Sequence, residues 1–520
     1  MKKIYPKDWL ALHPYQQANS VDQYYTRIAN QIQNYIYHTG IGADMGSEDV
    51  VRCTSLCLAA WFEDVISGTG IWQTFTDECC KRYGIRLPFY PISDDYYPDE
   101  PNLEDIRFLL WHHIQFLRRR KESIINPENP VIENTAKLIY RLLGDEYEIA
   151  PENTRMQHFF QAPAFGEEDF FEYRMALEWF HYHCYFNIEN VNEYGEAVEK
   201  LLDRNDEEQT SSPEYLQVMA EATSSNLAFG GRHNLLSLTS PEWLARIWER
   251  HSHNDLWASV KQREYSYYRY EREDEKYMYV SDLCRSGEML KIYKSSMQLS
   301  GAGLKNRKAG ETIFFCTLVS YGRAWWQCGA LGGTDERDPQ LMDSIKEYSE
   351  ELAHTLEKRS FRDFMRGSGG KSFVFCRTKA DIQNFLSDKV GYKEAKYTPV
   401  PDDIGKDGEG FLLTVSPING SRILTEYLAC IKSPDNPFYD EKTAKRYAFA
   451  FMLEPRICTY DLSCTLQDMG LLPDAGLKSV KGEEHGCRFL HDNAQFLTDY
   501  FHYSCRERDF PTEELNDLYD

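Results

Sequence analysis

The first half of the chain is patterned as a succession of amphipathic helices. Leu103, Ile106, Leu110, Ile114 and Leu117 recur at steps of three and four residues, which places them on one stripe of a helix. Apolar runs of similar length, bounded by polar caps and glycines, predict further helices. These helices span residues 20–38, 48–66, 71–82, 131–143, 213–222 and 241–250. The predicted N-caps include Ser20, Ser47 and Ser240.

The pattern changes near Tyr277, where β-branched and aromatic residues are separated by short turns. Four strands are predicted, over residues 277–283, 288–295, 311–321 and 323–331. We interpret the preceding tyrosines, Tyr265–Tyr270, as part of a half-buried helix and edge strand, because they alternate with Arg and Glu. Two-stranded pieces are marginal alone, so the four strands predict an antiparallel meander that closes into a small barrel or packs on a helix.

The last third of the chain mixes both patterns. It predicts strands over residues 372–376 and 411–415, and helices over residues 341–358, 381–390, 422–431, 442–453, 461–469 and 483–503. The predicted fold class is therefore mainly α with a small β subdomain, α+β overall. Its architecture is helical layers plus a small antiparallel barrel-like module.

These changes of pattern divide the chain into three predicted domains. An all-helical domain covers residues 1–262, a small antiparallel β module covers residues 263–338, and a mixed, mostly helical C-terminal domain covers residues 339–520. Polar stretches at residues 203–213 and 400–410 are predicted linkers.

The charge balance argues against one class of partner. Lys and Arg number 58 and Asp and Glu 82, which gives a net charge of −24, whereas binding to a phosphate backbone requires a positive face. We therefore expect no direct nucleic-acid partner.

The distribution of apolar residues and cysteines predicts a compartment. No stretch approaches the ~20 apolar residues that cross a bilayer, and no signal-peptide run follows the first lysines. Several of the 14 cysteines lie in apolar runs, as buried thiols do in a reducing environment. We expect a cytoplasmic protein that does not bind a membrane.

The densest group of imidazoles is the candidate metal site. Its members are His112, His113, His181 and His183, and zinc requires three or four ligands that converge on one point. Adjacent helical residues point about 100° apart, so each pair supplies at most one ligand. His113 also falls on the apolar stripe of its helix. The histidines are therefore predicted to be packed in the core, with a metal site as the alternative.

A second candidate for chemistry is a thiol. Cys487 stands close to His485 and His491 in the sequence, and a cysteine nucleophile requires a histidine base within hydrogen-bond reach. No local signature selects this cysteine. An enzyme would use this set, or His181 with His112 or His113.

Aromatic residues of the predicted barrel are candidates for partner binding. Trp325 and Trp326 are adjacent, so in a strand one faces each side, and at least one is expected in the core. Tyrosine and tryptophan are enriched at protein interfaces. Tyr321, Trp325 and Trp326 are therefore the predicted anchors of a docking surface.

Three segments carry a resemblance to a known family. They are Lys3–Leu10 with His13-Pro14-Tyr15, then Trp61–Gly70, and then Asp105–His112. In these segments the chain resembles an uncharacterised bacterial family of unknown function, over most of its length. The resemblance implies a predominantly helical protein with a small β insert. It implies no activity, ligand or catalytic residue.

The favoured function is that of a non-enzymatic protein-binding or adaptor protein, because this large aromatic chain lacks a readable catalytic signature. A protein partner is expected, and no cofactor is. The first alternative is a metal- or thiol-dependent hydrolase or transferase. A further alternative is an acidic mimic of nucleic acid, which requires acids clustered on one face, whereas here they are spread along the chain.

Overall fold

The computed structural model divides the chain into two units. It describes residues 2–117, 124–161, 165–187, 194–199, 213–251, 260–285, 287–297, 304–335, 339–356, 359–391, 404–416, 420–425, 427–454, 457–472 and 481–503. Residues 1–119 and 127–349 form the first unit, and residues 120–126 and 350–520 form the second. The three domain boundaries expected from the sequence stay a prediction. The predicted linker at 203–213 lies, apart from its last residue, outside the described residues.

Helices dominate the first unit, and the predicted fold class, mainly α within α+β, is confirmed. The helices are α1 (Pro6–Leu10), α2 (Ser20–His38), α3 (Ile41–Met45), α4 (Glu48–Ser67), α5 (Ile71–Tyr83), α6 (Leu103–Leu117), α7 (Pro130–Tyr147), α8 (Thr154–Gln161), α9 (Phe170–His183), α10 (Pro213–Gly230) and α11 (Ser240–Glu249). A further helix, α12 (Pro339–Leu356), begins in the first unit and ends in the second. None of the described helices combines the length and apolar character that crossing a membrane requires.

Polar caps set the helix starts, with two shifts of one residue from the prediction. The Ser47 side chain caps α4 as expected. In contrast, Asn19 caps α2 in place of Ser20, and Thr239 caps α11 in place of Ser240. A capping side chain accepts a backbone N–H while its own backbone stays extended. Because Thr239 fills that role, the hydroxyl of Ser240 remains available for other partners.

A closed five-stranded barrel forms within the first unit. Its strands are β1 (Lys261–Glu273), β2 (Tyr277–Asp282), β3 (Met289–Tyr293), β4 (Thr312–Tyr321) and β5 (Ala324–Asp335). They follow the order β1-β2-β3-β5-β4, with β4 returning to β1. Five strands in this order form a Greek-key barrel of the OB type. Such a fold hosts many functions, so the order alone assigns no ligand.

Two features of the barrel differ from the predicted meander. The strand β5 returns between β3 and β4 and runs parallel to β3, pairing Trp325 with Ile292, so the barrel is not wholly antiparallel. The second difference is β1, where the prediction that Tyr265–Tyr270 are partly helical was wrong. Tyr268 and Tyr270 are buried and Tyr267 and Arg269 half-buried, which is the period of a strand. Because tyrosine occupies both faces of β1, hydrophobicity barely alternates along it.

Apolar side chains from all five strands fill the barrel. The buried members of this core are Tyr268, Tyr270, Met278, Val280, Leu290, Ile292, Met297, Leu304, Phe314, Cys316 and Leu318. Trp325 is partly buried against this core, whereas its neighbour Trp326 is buried on the outer side of the strand. The predicted division of the two tryptophans between the faces is therefore confirmed.

The second unit combines an antiparallel sheet with helices. The strands β6 (Phe373–Cys376), β7 (Phe411–Ser416) and β8 (Gly420–Leu424) pair in that order. The helices are α13 (Arg359–Ser368), α14 (Lys379–Asn384), α15 (Glu441–Leu453), α16 (Tyr460–Asp468), α17 (Glu483–Asp492) and α18 (Ala494–Phe501). Leu412 of β7 packs into one apolar cluster and Leu413 into another, so both faces of the sheet are covered.

Two predicted helices of the second unit were wrong in part. Residues 422–431 form the end of β8 and a 3-10 turn over Leu428–Cys430, because pairing with β7 overrides the local pattern. The long helix predicted over residues 483–503 is divided at Asn493, which has φ −114° and ψ 9° and ends α17. The apolar stripe continues across this break, which is why periodicity alone did not reveal it.

Candidate functional site

The predicted metal-binding histidines form separate pairs. His112 and His113 are buried on α6 with ring centroids 5.3 Å apart, whereas His181 of α9 lies 5.2 Å from His233. His183 is exposed. In the part of the chain that the structure describes, no group of three His, Cys, Asp or Glu side chains is placed to hold a metal ion. Burial lowers the pKa of His113 to about 4 and that of His181 to about 3, so these rings are neutral at pH 7.

A serine hydroxyl joins the second histidine pair. Ser240 Oγ lies 2.8 Å from His181 Nδ1 and 2.7 Å from His233 Nε2. The hydroxyl has one proton, so it donates to one imidazole and accepts from the other. All three side chains are buried, with at most 1% exposed. This arrangement gives each of the three side chains a polar partner within the core and keeps Ser240 away from solvent.

The predicted thiol set is not assembled among the described residues. Cys487 and His485 are half-buried and His491 is exposed, all on α17. No described imidazole lies within hydrogen-bond distance of Cys487 Sγ, and the His485 ring contacts that of Phe489, with centroids 6.1 Å apart. His485 is two residues from Cys487 and so lies on a different side of the helix, whereas His491 is four residues away and shares a side with Cys487 without a hydrogen bond to it.

Two of the three predicted docking anchors, Tyr321 and Trp326, pack against the protein's own helix α9, whereas the third, Trp325, is partly buried against the barrel core. Trp326 is stacked between Phe170, at a centroid distance of 5.0 Å, and Tyr293, at 4.4 Å. Tyr321 stacks on Tyr173 at 5.3 Å. Trp326 and Tyr321 are at most 1% exposed, so in this conformation neither ring is available to a partner. These aromatics hold the barrel to the helices.

A buried ion pair, which the sequence reasoning did not single out, connects the N-terminal segment to α4. His13 Nε2 donates to Glu63 Oε2 over 2.7 Å, and His13 Nδ1 donates to the Trp9 carbonyl over 2.9 Å. Both acceptors lack a proton when Glu63 is ionised, so both ring nitrogens carry one. Burial by itself lowers the pKa of His13, but the charge and hydrogen bond of Glu63 outweigh it, and the pKa lies above its ordinary value of 6.5. The two contacts and the direction of this shift favour the protonated form of His13 beside Glu63.

Hydrogen bonds extend this ion pair to a second one near the surface. Asn153 donates to Glu63 Oε1 over 2.8 Å and to the Tyr15 hydroxyl over 2.6 Å. Tyr15 donates to Asp22 over 2.9 Å, and Arg155 pairs with Asp22 at 2.5 Å. His13, Tyr15, Asp22, Glu63, Asn153 and Arg155 are named the buried network below. Since buried charges require partners, this network fixes how the N-terminal segment lies on α4.

The neighbouring carboxylate, Asp64, caps the next helix. It accepts hydrogen bonds from the backbone N–H groups of Gly70 and Trp72, at 2.9 and 2.8 Å, and from the hydroxyls of Thr69 and Tyr185. Burial raises the pKa of Asp64, and the donors oppose that rise. A carboxylate at the N-terminus of α5 satisfies N–H groups that no intrahelical partner can reach.

Beside the buried network lies a cavity too small for a substrate. It is lined by His13, Glu63, Asp64, Thr69 and Tyr185 among others, and offers about 10 Å³, which is space for about one water molecule. Ligand pockets are typically about 300–1,000 Å³. The acid and base groups could move a proton chemically, but the enclosure supports a structural role for them.

The sequence contains the segments that form this network but does not show that they meet. His13-Pro14-Tyr15 and Trp61–Gly70 carry the family resemblance and no recognisable chemical motif. They lie 50 residues apart at the His13–Glu63 contact, and folding joins them. To predict one polar cluster from these two motifs, one must know that the N-terminal segment packs on α4.

An exposed combination of tyrosines and cations lies on the outer side of the barrel. Arg272, Tyr279 and Lys291 occupy one row across β1, β2 and β3. The guanidinium of Arg272 lies 3.6 Å from the centroid of the Tyr279 ring, and Lys291 Nζ lies 4.0 Å from that of Tyr277. We name Arg272, Tyr277, Tyr279 and Lys291 the tyrosine face.

A β-bulge places Arg272 on this face. The register of β1 against β2 passes from Tyr270–Val280 to Arg272–Tyr279, so β1 contains one extra residue, Glu271. Without it, the alternation of the pleat would point Arg272 inward with Tyr270. Tyr277 and Tyr279 are half-buried and Arg272 is exposed.

Fold and sites together define a mainly α protein with a small barrel, an enclosed polar network and an outward-facing aromatic surface. A family model matches residues 3–282 and 324–503, and the chain belongs to that family, described as a protein of unknown function (DUF3843). This confirms the expected membership of an uncharacterised family. No curated protein and no solved structure matches the chain. The buried network lies within the matched residues, whereas β3 and β4 fall in the unmatched stretch 283–323.

Proposed function

We propose that this protein is a non-enzymatic binding protein that docks a protein partner on the tyrosine face of its barrel. The observation that carries the proposal is that Arg272 and Lys291 lie over half-buried tyrosine rings and form no ion pair with any described carboxylate. Interfaces are enriched in Tyr and Arg, and such residues often dominate binding energy.

The enzymatic alternatives find less support in the described residues. The histidines form two separate pairs, Cys487 has no described imidazole within reach, and the acid–base groups of the buried network surround a cavity for about one water. Each of these groups is explained by packing or capping. The tyrosine face has no comparable internal explanation, because its two cations contact rings and form no ion pair with a described carboxylate.

Site-specific photo-crosslinking in cells that naturally contain the protein tests the proposal. The photoreactive residue p-benzoylphenylalanine replaces Tyr279 in one version and Ile149, which is 69% exposed elsewhere in the first unit, in the control. We expect one protein to be captured at position 279, to be absent at position 149, and to be captured less when Arg272→Ser is added. Identical capture at both positions, or capture that ignores Arg272→Ser, would contradict the proposal.

A further inference from the structure

The cations of the tyrosine face differ from most described cations of the same barrel in forming no ion pair with a described carboxylate. Arg285, in the turn after β2, also has no described ion pair, whereas six other cations are each paired with a carboxylate. These pairs are Arg269–Glu271, Lys276–Glu168, Lys294–Glu273, Arg307–Glu273, Lys308–Glu311 and Arg323–Glu167. The charge of Asp274 is felt by Arg272, but its oxygens accept from the N–H groups of Lys276 and Tyr277 and from the Tyr279 hydroxyl.

This difference is notable because acids outnumber bases by 82 to 58 in the chain. In such an acidic protein many carboxylates could pair with an exposed cation, yet Arg272 and Lys291 contact aromatic rings. A cation over a ring face gains about 0.5–1 kcal/mol at exposed sites and keeps its charge free for a further partner. The rings thus hold the two charges in place on either side of Tyr279.

Building on the proposed function, we infer that the tyrosine face recognises an extended acidic segment of the partner protein, with carboxylates that pair with Arg272 and Lys291. The two cations stand on strands separated by β2, so their backbones are about 10 Å apart. An extended chain advances about 3.3 Å per residue and places alternate side chains on one face, so carboxylates four residues apart, about 13 Å, can reach both cations through these long side chains. Tyr279 between them offers a surface for the intervening side chain.

Charge favours this ligand over a nucleic acid. Nucleic-acid affinity grows with the number of phosphates neutralised, commonly 6–10 for a specific protein. The tyrosine face supplies two unpaired cations, on a chain of net charge −24. A short peptide with a few carboxylates meets less repulsion than a polyphosphate and needs no more than the two cations.

Fluorescence anisotropy with defined probes tests the inference. Fluorescein-labelled deca-glutamate, deca-glutamine and (dT)12 are titrated with the full chain at 20 and 150 mM NaCl. We expect deca-glutamate to bind more tightly than deca-glutamine, and more weakly at the higher salt. The double variant Arg272→Gln, Lys291→Gln is expected to lose about tenfold in affinity, since an exposed ion pair contributes up to about fivefold.

A matched double variant separates site recognition from net charge. Lys308→Gln with Arg323→Gln removes the same charge from exposed, paired cations of the barrel, which are 67% and 82% exposed. It should bind deca-glutamate within about twofold of the wild type. Circular dichroism and thermal melting establish that both variants fold.

Three results would overturn the inference. They are equal binding of deca-glutamate and deca-glutamine, equal losses in both double variants, and tighter binding of (dT)12 than of deca-glutamate, which would point to a nucleic acid. If deca-glutamate does not bind but crosslinking at position 279 still captures a protein, the docking surface is supported and its specificity for acidic segments is rejected. If deca-glutamate does not bind and crosslinking captures no protein, the proposed function is rejected as well.

Discussion

The buried network and the tyrosine face use the same kinds of side chain in opposite ways. In the buried network, His13 faces Glu63 and Arg155 faces Asp22, and every charge is compensated inside the protein. On the tyrosine face, Arg272 and Lys291 contact rings and stay open to solvent on one side. The two regions differ in desolvation. A charge that is removed from water must be paired within the protein, whereas an exposed charge is solvated and remains available to bind a ligand.

This contrast shows that strongly coupled ionisable residues do not by themselves identify a functional site. His13 and Asp64, two buried groups with shifted pKa values, line a cavity of about 10 Å³. The groups that support a binding function lie on the outer side of the barrel. Enclosure, and not the strength of the interaction, separates the two regions.

Trp326→Ala is expected to have the largest effect on stability. The ring is stacked between Phe170 and Tyr293 and 1% exposed, so its loss leaves a cavity and should cost about 3–5 kcal/mol of the free energy of unfolding. Urea denaturation followed by circular dichroism measures it. Tyr279→Ala, on the open side of the same barrel, is the control and should cost less than about 1 kcal/mol. A small effect of Trp326→Ala would mean that this ring is not a packing residue.

Acid should destabilise the protein through its buried neutral histidines. The pKa of His113 is lowered by burial to about 4, below its ordinary value of 6.5, so the unfolded chain binds the proton more readily. The contribution of His113 to stability is therefore complete above pH 6.5 and falls by about 3 kcal/mol as the pH drops toward 4. His113→Leu should flatten that part of the curve of unfolding free energy against pH. An unchanged slope in the variant would refute the assignment.

Glu63→Gln should weaken the buried network. It removes the charge that compensates His13 and replaces an acceptor of Asn153 by an amide, at an expected cost of about 2–3 kcal/mol. Since the pKa of His13 is raised, its contribution is present below pH 6.5 and is lost as the pH rises through the folded-state value. The cost of Glu63→Gln should therefore shrink at high pH. The exposed Glu249→Gln serves as control, with a change within about 0.5 kcal/mol.

Arg272→Gln is expected to have the smallest effect on folding. Arg272 is exposed and its cation–π contact contributes about 0.5–1 kcal/mol at most. The free energy of unfolding should stay within about 1 kcal/mol of the wild type, whereas the affinity for deca-glutamate should fall by up to about fivefold. A large loss of stability would show that the tyrosine face is structural, like the buried network.

Local patterns predicted much of the fold. The stripe from Leu103 to Leu117 became α6, the caps and stops around α4 lie where expected, and the strands after Tyr277 close into a barrel. Two failures arise from strand pairing. The strand β8 pairs with β7, which directly precedes it, and β5 pairs with β3 through the distant contact of Trp325 with Ile292, and in both cases pairing outweighs local propensity.

The individual residues of the candidate site show the same limit of prediction from local sequence. Sequence spacing brought Cys487 near His485, but a helix separates their side chains, and Tyr321 and Trp326 are occupied by α9. Conversely, His13 and Glu63 are 50 positions apart and meet at 2.7 Å. Closeness in sequence constrains side-chain contact only within one element.

The sequence by itself determined the helical layers, the barrel-forming segment, the acidic character and the membership of residues 3–282 and 324–503 in an uncharacterised family. These follow from periodicity and composition, which are properties of neighbouring residues. Only the tertiary structure decided which charges are enclosed and which remain open, because burial and pairing depend on elements brought together from distant parts of the chain. Because Trp326 is enclosed and Tyr279 lies on the open side of the barrel, the proposed docking surface contains Tyr279 and not Trp326.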